Sequence, residues 1–212
     1  MARGKLSNLK NDQMTAGTKW NLKPQHKAEE FYRVESGVRK SGPWRLDTTN
    51  LVAGSTLPVF MPVQADLRKR TFVPVRNMEV YEKYVNGVSS LKIKVKKNPL
   101  LYAGMFIGSG SKGAEVSGID HSSPDFDEIT IKAALGEDVE KGSILFEATA
   151  AGGTKKKNVA NFVLYGEIKV ENDGPVMGTL LMQAYEVKES KLAIPIHAED
   201  KVGLTCRFQF DY

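Results

Sequence analysis

Apolar residues along most of this chain recur every second position, the period of a strand with one buried face. The clearest case is "SLKIKVKK", where Leu91, Ile93 and Val95 alternate with Lys92, Lys94 and Lys96. "RTFVPV" and "MEVYEKYV" precede it, the second with apolar and charged residues in alternation. Asn86-Gly87 predicts a tight hairpin turn, since both residues tolerate positive φ. Further strands are predicted over 104–108, 114–119, 128–133, 143–148, 159–165, 176–187 and 203–210. Gly, Pro, Asn and Asp separate them at short intervals, the spacing of an antiparallel β-sandwich or β-barrel-like domain. "LPVFMPV" is extended but carries Pro58 and Pro62, which suit a central strand poorly. Helical signal is thin: Ala133 to Gly142 has room for one turn, and no solenoid-length repeat is visible.

The first fifty residues break this rhythm. They are rich in Lys, Asn, Thr and Ser, and such a stretch buries too little apolar surface to offset its own ordering. The expected organisation is an extended basic N-terminal arm over residues 1–55, followed by a β-domain over 56–212. Charge supports the division. Residues 1–50 hold ten Lys/Arg and five Asp/Glu, which leaves twenty of each for the remainder, so the whole net charge of +5 lies in the first quarter. An arm of this kind is expected to meet an acidic partner. The plain reading of such a segment is a flexible tail; if a partner holds the arm in place, Trp20, Phe31, Tyr32 and Trp44 are its natural anchors, because aromatic side chains dominate contact energy.

Composition sets outer limits. The apolar and charged fractions, 41% and 26%, exclude a disordered or collagen-like chain. Apolar runs are too short to span a bilayer. The start, "MARGKLSNLKNDQ", has no apolar core after its basic residues and does not read as a signal peptide. Cys206 is the single cysteine, which precludes an intrachain disulfide and fits a reducing compartment.

"FIGSGSKGAEVSGID" offers the sharpest chemical motif. Gly108, Gly110 and Gly113 match G-x-G-x-x-G, and Glu128 follows at a suitable distance. That fingerprint needs a helix after the glycines to hold a pyrophosphate. Here Gly118, Pro124 and a Ser/Asp-rich stretch follow instead, so the glycines are read as turn, bulge and close-approach residues. Asp120, His121, Asp125, Asp127 and Glu128 form an acidic cluster without the alternating acids and central glycine of a calcium loop. His26, His121 and His197 lack zinc-ligand spacing. Cys206 sits in alternating "LTCRFQF", where a buried small residue is expected. "LRKR" and Lys155, Lys156 and Lys157 lack the interleaved aromatics of nucleic-acid readers and read as solvated loops. No catalytic, cofactor-binding or metal-binding residue emerges. The expectation is a protein that is not an enzyme and needs no cofactor, membrane or specific nucleic acid.

One long stretch resembles a known family. "LKIKVKKNPLLYAGMFIGSGSKGAEVSGIDHSSPDFDEITIKAALGEDVEKGSILFEA" is similar to capsid-associated β-proteins of tailed bacteriophages, with a lysine-rich strand, an Ala103-Gly104 step, an "Asp-x-Ile-Thr" strand and Lys141-Gly142 before "Ser-x-Leu". Over residues 57–212, and with its "LTCRFQFDY" end, the chain resembles phage head fiber proteins more than compact decoration proteins. The resemblance implies a virion structural protein, a homotrimer on the capsid exterior, assembled in the host bacterial cytoplasm. Its partners would be the major capsid protein and, as further candidates, other head proteins. A carbohydrate- or host-surface-binding β module is the alternative. A long fiber would need a repetitive or coiled-coil stalk, which is absent, so any projection must be short or completed by another protein.

Overall fold

The computed structural model describes residues 30–87, 91–171 and 174–211. Its first strands are β1 (Val38–Arg39), β2 (Trp44–Leu46) and β3 (Thr56–Leu57). A hairpin of β4 (Pro62–Asp66) and β5 (Thr71–Pro74) follows. The chain then builds a second sheet from β6 (Asn77–Glu79), β7 (Lys92–Lys96), β8 (Phe106–Gly108), β9 (Gly113–Asp120), β10 (Phe126–Ile131) and β11 (Ile144–Glu147). It returns to the first with β12 (Phe162–Leu164); β13 (Ile168–Lys169) then pairs β3 in a separate two-stranded sheet, and β14 (Met177–Gly178), β15 (Leu180–Lys188), the helix α1 (Ala198–Leu204) and β16 (Phe208–Asp211) complete the return. The expected mainly β architecture is what the chain adopts.

The second sheet runs β6-β11-β8-β9-β10-β7, antiparallel throughout. Its two ends meet. Val80, just past β6, bridges Val95 of β7, and Tyr81 N–H donates to Lys94 O at 2.9 Å. The sheet is therefore a small barrel. Ile93 and Val95 of β7 point inward with Ala114, Val116, Ile129 and Ile131, and the lysines between them point out, as the alternation requires. A bulge at Ser117, where Thr130 pairs Gly118 and Ile131 pairs Val116, adds the bend that closure needs.

The first sheet is larger and also curls. Its path is β1-β15-β12-β4-β5-β2-β14, with β16 beside β15. β14 and β15 are one strand interrupted at Thr179, so the path returns towards its start. Two pairings are parallel, β2 with β5 and β15 with β16, which the wholly antiparallel expectation did not include. Inside the curl lie Trp44, Leu46, Val63, Phe72, Phe162 and Leu180. The opposite face, with Val163, Leu181 and Val187, is covered by Leu204 of α1, by Phe208 and by Phe31 and Tyr32.

The barrel is thus an insertion between β5 and β12. Its entry and exit run side by side, with Glu147 N–H donating to Arg76 O at 2.9 Å, which is what an inserted unit requires of its ends. The described residues divide differently from an arm over 1–55 and a domain over 56–212. Residues 1–29 lie outside the described residues. Residues 30–55 hold β1 and β2 and are woven into the larger sheet, because β15 and β5 each offer an edge to pair. Three smaller expectations also change. The one described α-helix is α1, which a capping box with His197 and Asp200 starts, not the stretch 133–142. Asn86 does not close a tight turn: its side chain accepts from Gly136 N–H and its N–H donates to Asp138, tying a distant loop. Cys206 is exposed, because a 3₁₀ turn over Thr205–Arg207 delays the last strand to Phe208.

Candidate functional site

Of the four rings expected to anchor an arm on a partner, Trp20 lies outside the described residues. The other three are buried in the chain's own core. Phe31 and Tyr32 pack on Phe60 at 6.5 and 5.4 Å between centroids. Trp44 stacks on Phe162 at 6.2 Å and is 2% exposed. Their anchoring is intramolecular. It fixes residues 31–46 on the sheet and so fixes the basic side chains among them.

Arg33 pairs Glu186 and Arg39 lies over the Tyr165 ring at 5.2 Å, while Arg45 lies beside the turn 67–70. Arg45 pairs Thr71 across β2 and β5, and Arg45 N–H donates to Arg70 O at 2.9 Å. Asp66 shapes the turn by accepting from the N–H groups of Arg68 and Lys69 at 2.9 and 3.1 Å. Arg70 lies over the Trp44 ring at 5.6 Å and donates to Ser41 O at 2.8 Å, so its guanidinium is held in place. Arg39, Arg45, Arg68, Lys69 and Arg70 are exposed. Asp66 lies 3.9 Å from Lys69, and Asp47 and Asp66 stand within electrostatic reach of Arg45 and Arg68, but among the described residues Lys40, Arg45 and Arg68 form no ion pair. The result is a basic end of the larger sheet. β5 runs from this turn towards the barrel, so about 13 Å of strand separates the basic end from the barrel's entry.

At the other end of β5 lies a buried ionic junction that the sequence reading missed. Arg76 is 5% exposed and donates to Leu100 O, Thr49 O and Glu147 Oε2 at 3.1, 3.0 and 3.1 Å. Glu147 also accepts from Tyr102 Oη and Lys157 Nζ at 2.5 and 2.8 Å. Burial alone would raise its carboxyl, but the Lys157 and Tyr102 hydrogen bonds and the Arg76 charge hold it below its ordinary value. Beside it, Asp200 accepts from Ala160 N–H at 2.9 Å, from Asn77 Nδ2 at 2.7 Å and from Lys156 Nζ. Burial pushes the Lys156 amine below its usual value despite Asp200, and pushes His197 down as well. Lys155, Lys156 and Lys157 are therefore not a uniformly solvated loop. Lys156 is 1% exposed and Lys157 is paired, because the loop folds back onto the junction. Loop positions and separations as long as 123 residues gave no local signal of these contacts.

The glycine motif has a structural use. Gly110 has φ +101° in the β8–β9 connection, and its N–H donates to Gly153 O at 3.1 Å. A Cβ on Gly113 would lie 2.4 Å from Gly153 Cα, and one on Gly108 2.3 Å from Gly153 O. The hairpin and the 149–157 loop meet backbone to backbone, and β9 follows Gly113 where the nucleotide fingerprint needs a helix. In the acidic cluster, Asp127 is buried and accepts from Lys97 Nζ, His121 Nδ1 and Asn98 N–H, each at 2.8 Å. Among the described residues no group of three or more His, Cys, Asp or Glu is placed to hold a metal ion. Nor, among those residues, is any helix long and apolar enough to cross a membrane.

Two curled β-sheets, joined by a buried polar lock and carrying a basic end, define a mainly β protein whose chemistry lies in joints and surfaces. The particular family follows from comparison. The profile of the phage head fiber proteins matches residues 11–208, nearly the whole chain, and the chain belongs to that family. It is a phage structural protein, associated with the virion. No curated protein and no solved structure matches it.

Proposed function

We propose that this head fiber protein sits on the capsid exterior and docks there through the basic end of its larger sheet, with the barrel directed away from the shell. The reading rests on one observation, the unequal treatment of charge. In the barrel Lys83, Lys92, Lys94, Lys96, Lys97 and Lys132 each face a carboxylate within 2.9 Å. At the basic end Arg45, Arg68 and Lys40 form no such close pair among the described residues, and Asp47 and Asp66 act on Arg45 and Arg68 only from a longer distance. Unpaired cations on a rigid sheet end steer an encounter with an acidic surface and set its register. The acidic surface is that of the major capsid protein, the protein is a homotrimer, and no catalytic step or cofactor is involved.

The test is incorporation into particles. The charge-reversed variant R45E/R68E/K69E should fold as the parent does and fail to decorate capsids, and the parent's attachment should weaken with added salt. Normal decoration by the variant would move attachment elsewhere. Sedimentation equilibrium tests the trimer separately, and a monomer at micromolar concentration would remove that part. The carbohydrate-binding alternative has less support. The partly exposed Tyr81–Phe126 stack, a natural sugar platform, is covered by Lys141 and Lys94 over its two rings at 5.6 and 4.9 Å.

A further inference from the structure

Lys156, Asp200 and Asn77 meet at the junction with side chains 1%, 0% and 0% exposed. One oxygen, Asp200 Oδ2, accepts from both the Lys156 amine and the Asn77 amide, the latter at 2.7 Å. The Asn77 amide cannot be turned over. Its Nδ2 also donates to Pro195 O at 2.7 Å, so reversal would set an oxygen against two acceptors. Its Oδ1 consequently has no hydrogen-bond partner, although it is fully buried. The surroundings are apolar and aromatic. The Phe146 ring lies 5.9 Å from Lys156 Nζ, with His197 edge-on to that ring at 5.0 Å.

A purely ionic role accounts poorly for this arrangement. A buried ion pair is weak evidence for stability, since apolar residues of similar volume hold such a joint as well. An orphaned buried carbonyl is a cost that a structural joint would avoid. The same features suit amide exchange. Burial favours the neutral amine, which is the nucleophile, and Asp200 touches both the nitrogen that must lose a proton and the one that must gain it.

We propose that Lys156 and Asn77 become joined by an isopeptide bond, with Asp200 carrying protons between them. Lys156 Nζ gives a proton to Asp200 Oδ2 and attacks Asn77 Cγ. The Nζ–Cγ bond forms and the Cγ–Nδ2 bond breaks. Of the three protons on the starting ammonium, one stays on the new amide. The other two leave on Nδ2, which departs as ammonium and returns Asp200 to a carboxylate. Nothing is oxidised or reduced, and no co-reactant is needed. The bond would staple β6 of the barrel to the loop that re-enters the larger sheet, which suits a protein that must survive outside a cell.

Intact mass of the purified, denatured full chain tests this directly. After allowance for the initiator Met, the protein should be lighter than its sequence by one ammonia. Trypsin should release a branched peptide in which residues 77–83 are joined to 156–157, because an amidated Lys156 is no longer cleaved. K156R and D200N should both have the full sequence mass. Asn77→Asp keeps the test open should those variants fail to fold: it should give the same branch with loss of one water instead of ammonia. A wild-type chain of full sequence mass overturns the proposal, as does a branch that maps to Asp200 instead of Asn77.

Discussion

The barrel and the basic end of the larger sheet use the same cationic side chains to opposite effect. β7 is the most lysine-rich strand of the molecule, yet Lys92, Lys94 and Lys96 lie against Glu128, Glu82 and Glu79. Residues 76–148 as a whole hold nine Lys/Arg and eleven Asp/Glu. The turn 67–70 and β2 hold fewer basic residues but compensate them less, because Asp66 is engaged by the backbone of its own turn and reaches Lys69 only at 3.9 Å, and Arg45 and Arg68 form no ion pair among the described residues. Local basic content is thus a poor guide to surface potential, and pairing across strands decides it. Adjacent antiparallel strands bring opposite charges into register on one face, whereas a turn has no neighbour to supply the acid. The two regions should therefore respond differently to substitution.

The contrast depends on the two regions being locked together, and the lock should show the largest effect. Arg76→Ala leaves Glu147 buried without its guanidinium and strips three acceptors of a donor. Loss of one partner from a buried pair costs about 3–5 kcal/mol. Urea unfolding should show that loss, and separate probes of barrel and sheet should cease to report one transition. Coincident transitions at parental stability would mean that the barrel is held by something other than this junction.

The glycine clasp comes next. Gly113→Ala places a methyl 2.4 Å from Gly153 Cα and 2.5 Å from Ile107 O, with backbone on both sides that cannot step aside. Overpacking of this kind costs about 1–3 kcal/mol. Thermal unfolding should register it, and calorimetry with NAD or ATP should show no saturable binding to either protein. Micromolar binding would restore the nucleotide reading of the motif.

These two sites also mark what could be read from the sequence. The strand pattern of β7 and the non-helical setting of the glycines were legible because alternation and turn chemistry are local. The resemblance to phage head fiber proteins was legible in the same stretch. The burial of Phe31, Tyr32 and Trp44 was not. Their partners, Phe60 and Phe162, lie far along the chain, and β1 and β2 are too short to show a period. The mean composition of the first fifty residues concealed this, since a few rings suffice to seat a segment on a sheet built by others. Lys156 was hidden for the same reason: a run of three lysines reads as solvent-exposed unless Asp200 and Asn77 are known to be waiting for the middle one.

Acid should separate the regions next. Burial would raise the Asp127 carboxyl, but its hydrogen bonds from Lys97, His121 and Asn98 prevail and hold it below its ordinary value. The folded pKa is depressed, so the stabilisation is complete above the unfolded value of about 4 and is lost as pH falls through the lower folded value. Asp127→Asn should cost about 1.5 kcal/mol at neutral pH and flatten the stability curve below about pH 4. A variant as acid-sensitive as the parent would assign that sensitivity to Glu147 instead.

The smallest effects on stability should come from single surface charges, and they bear most directly on the contrast. Lys96→Gln in the barrel removes the partner of Glu79, whose side chain is 27% exposed against 56% for the lysine. Arg45→Gln at the basic end removes a charge that has no ion-pair partner among the described residues. Both should lie within about 0.5 kcal/mol of the parent, because exposed pairs contribute little and water solvates what remains. They should part in their response to salt. The stability difference between Lys96→Gln and the parent should shrink as added salt screens the pair, while the difference for Arg45→Gln should stay level or change sign, since removing a cation from a cluster of cations relieves repulsion. Denaturation midpoints at low and high ionic strength measure both. Parallel salt dependence would show that the basic end is compensated after all, and docking through its unpaired charge would lose its foundation.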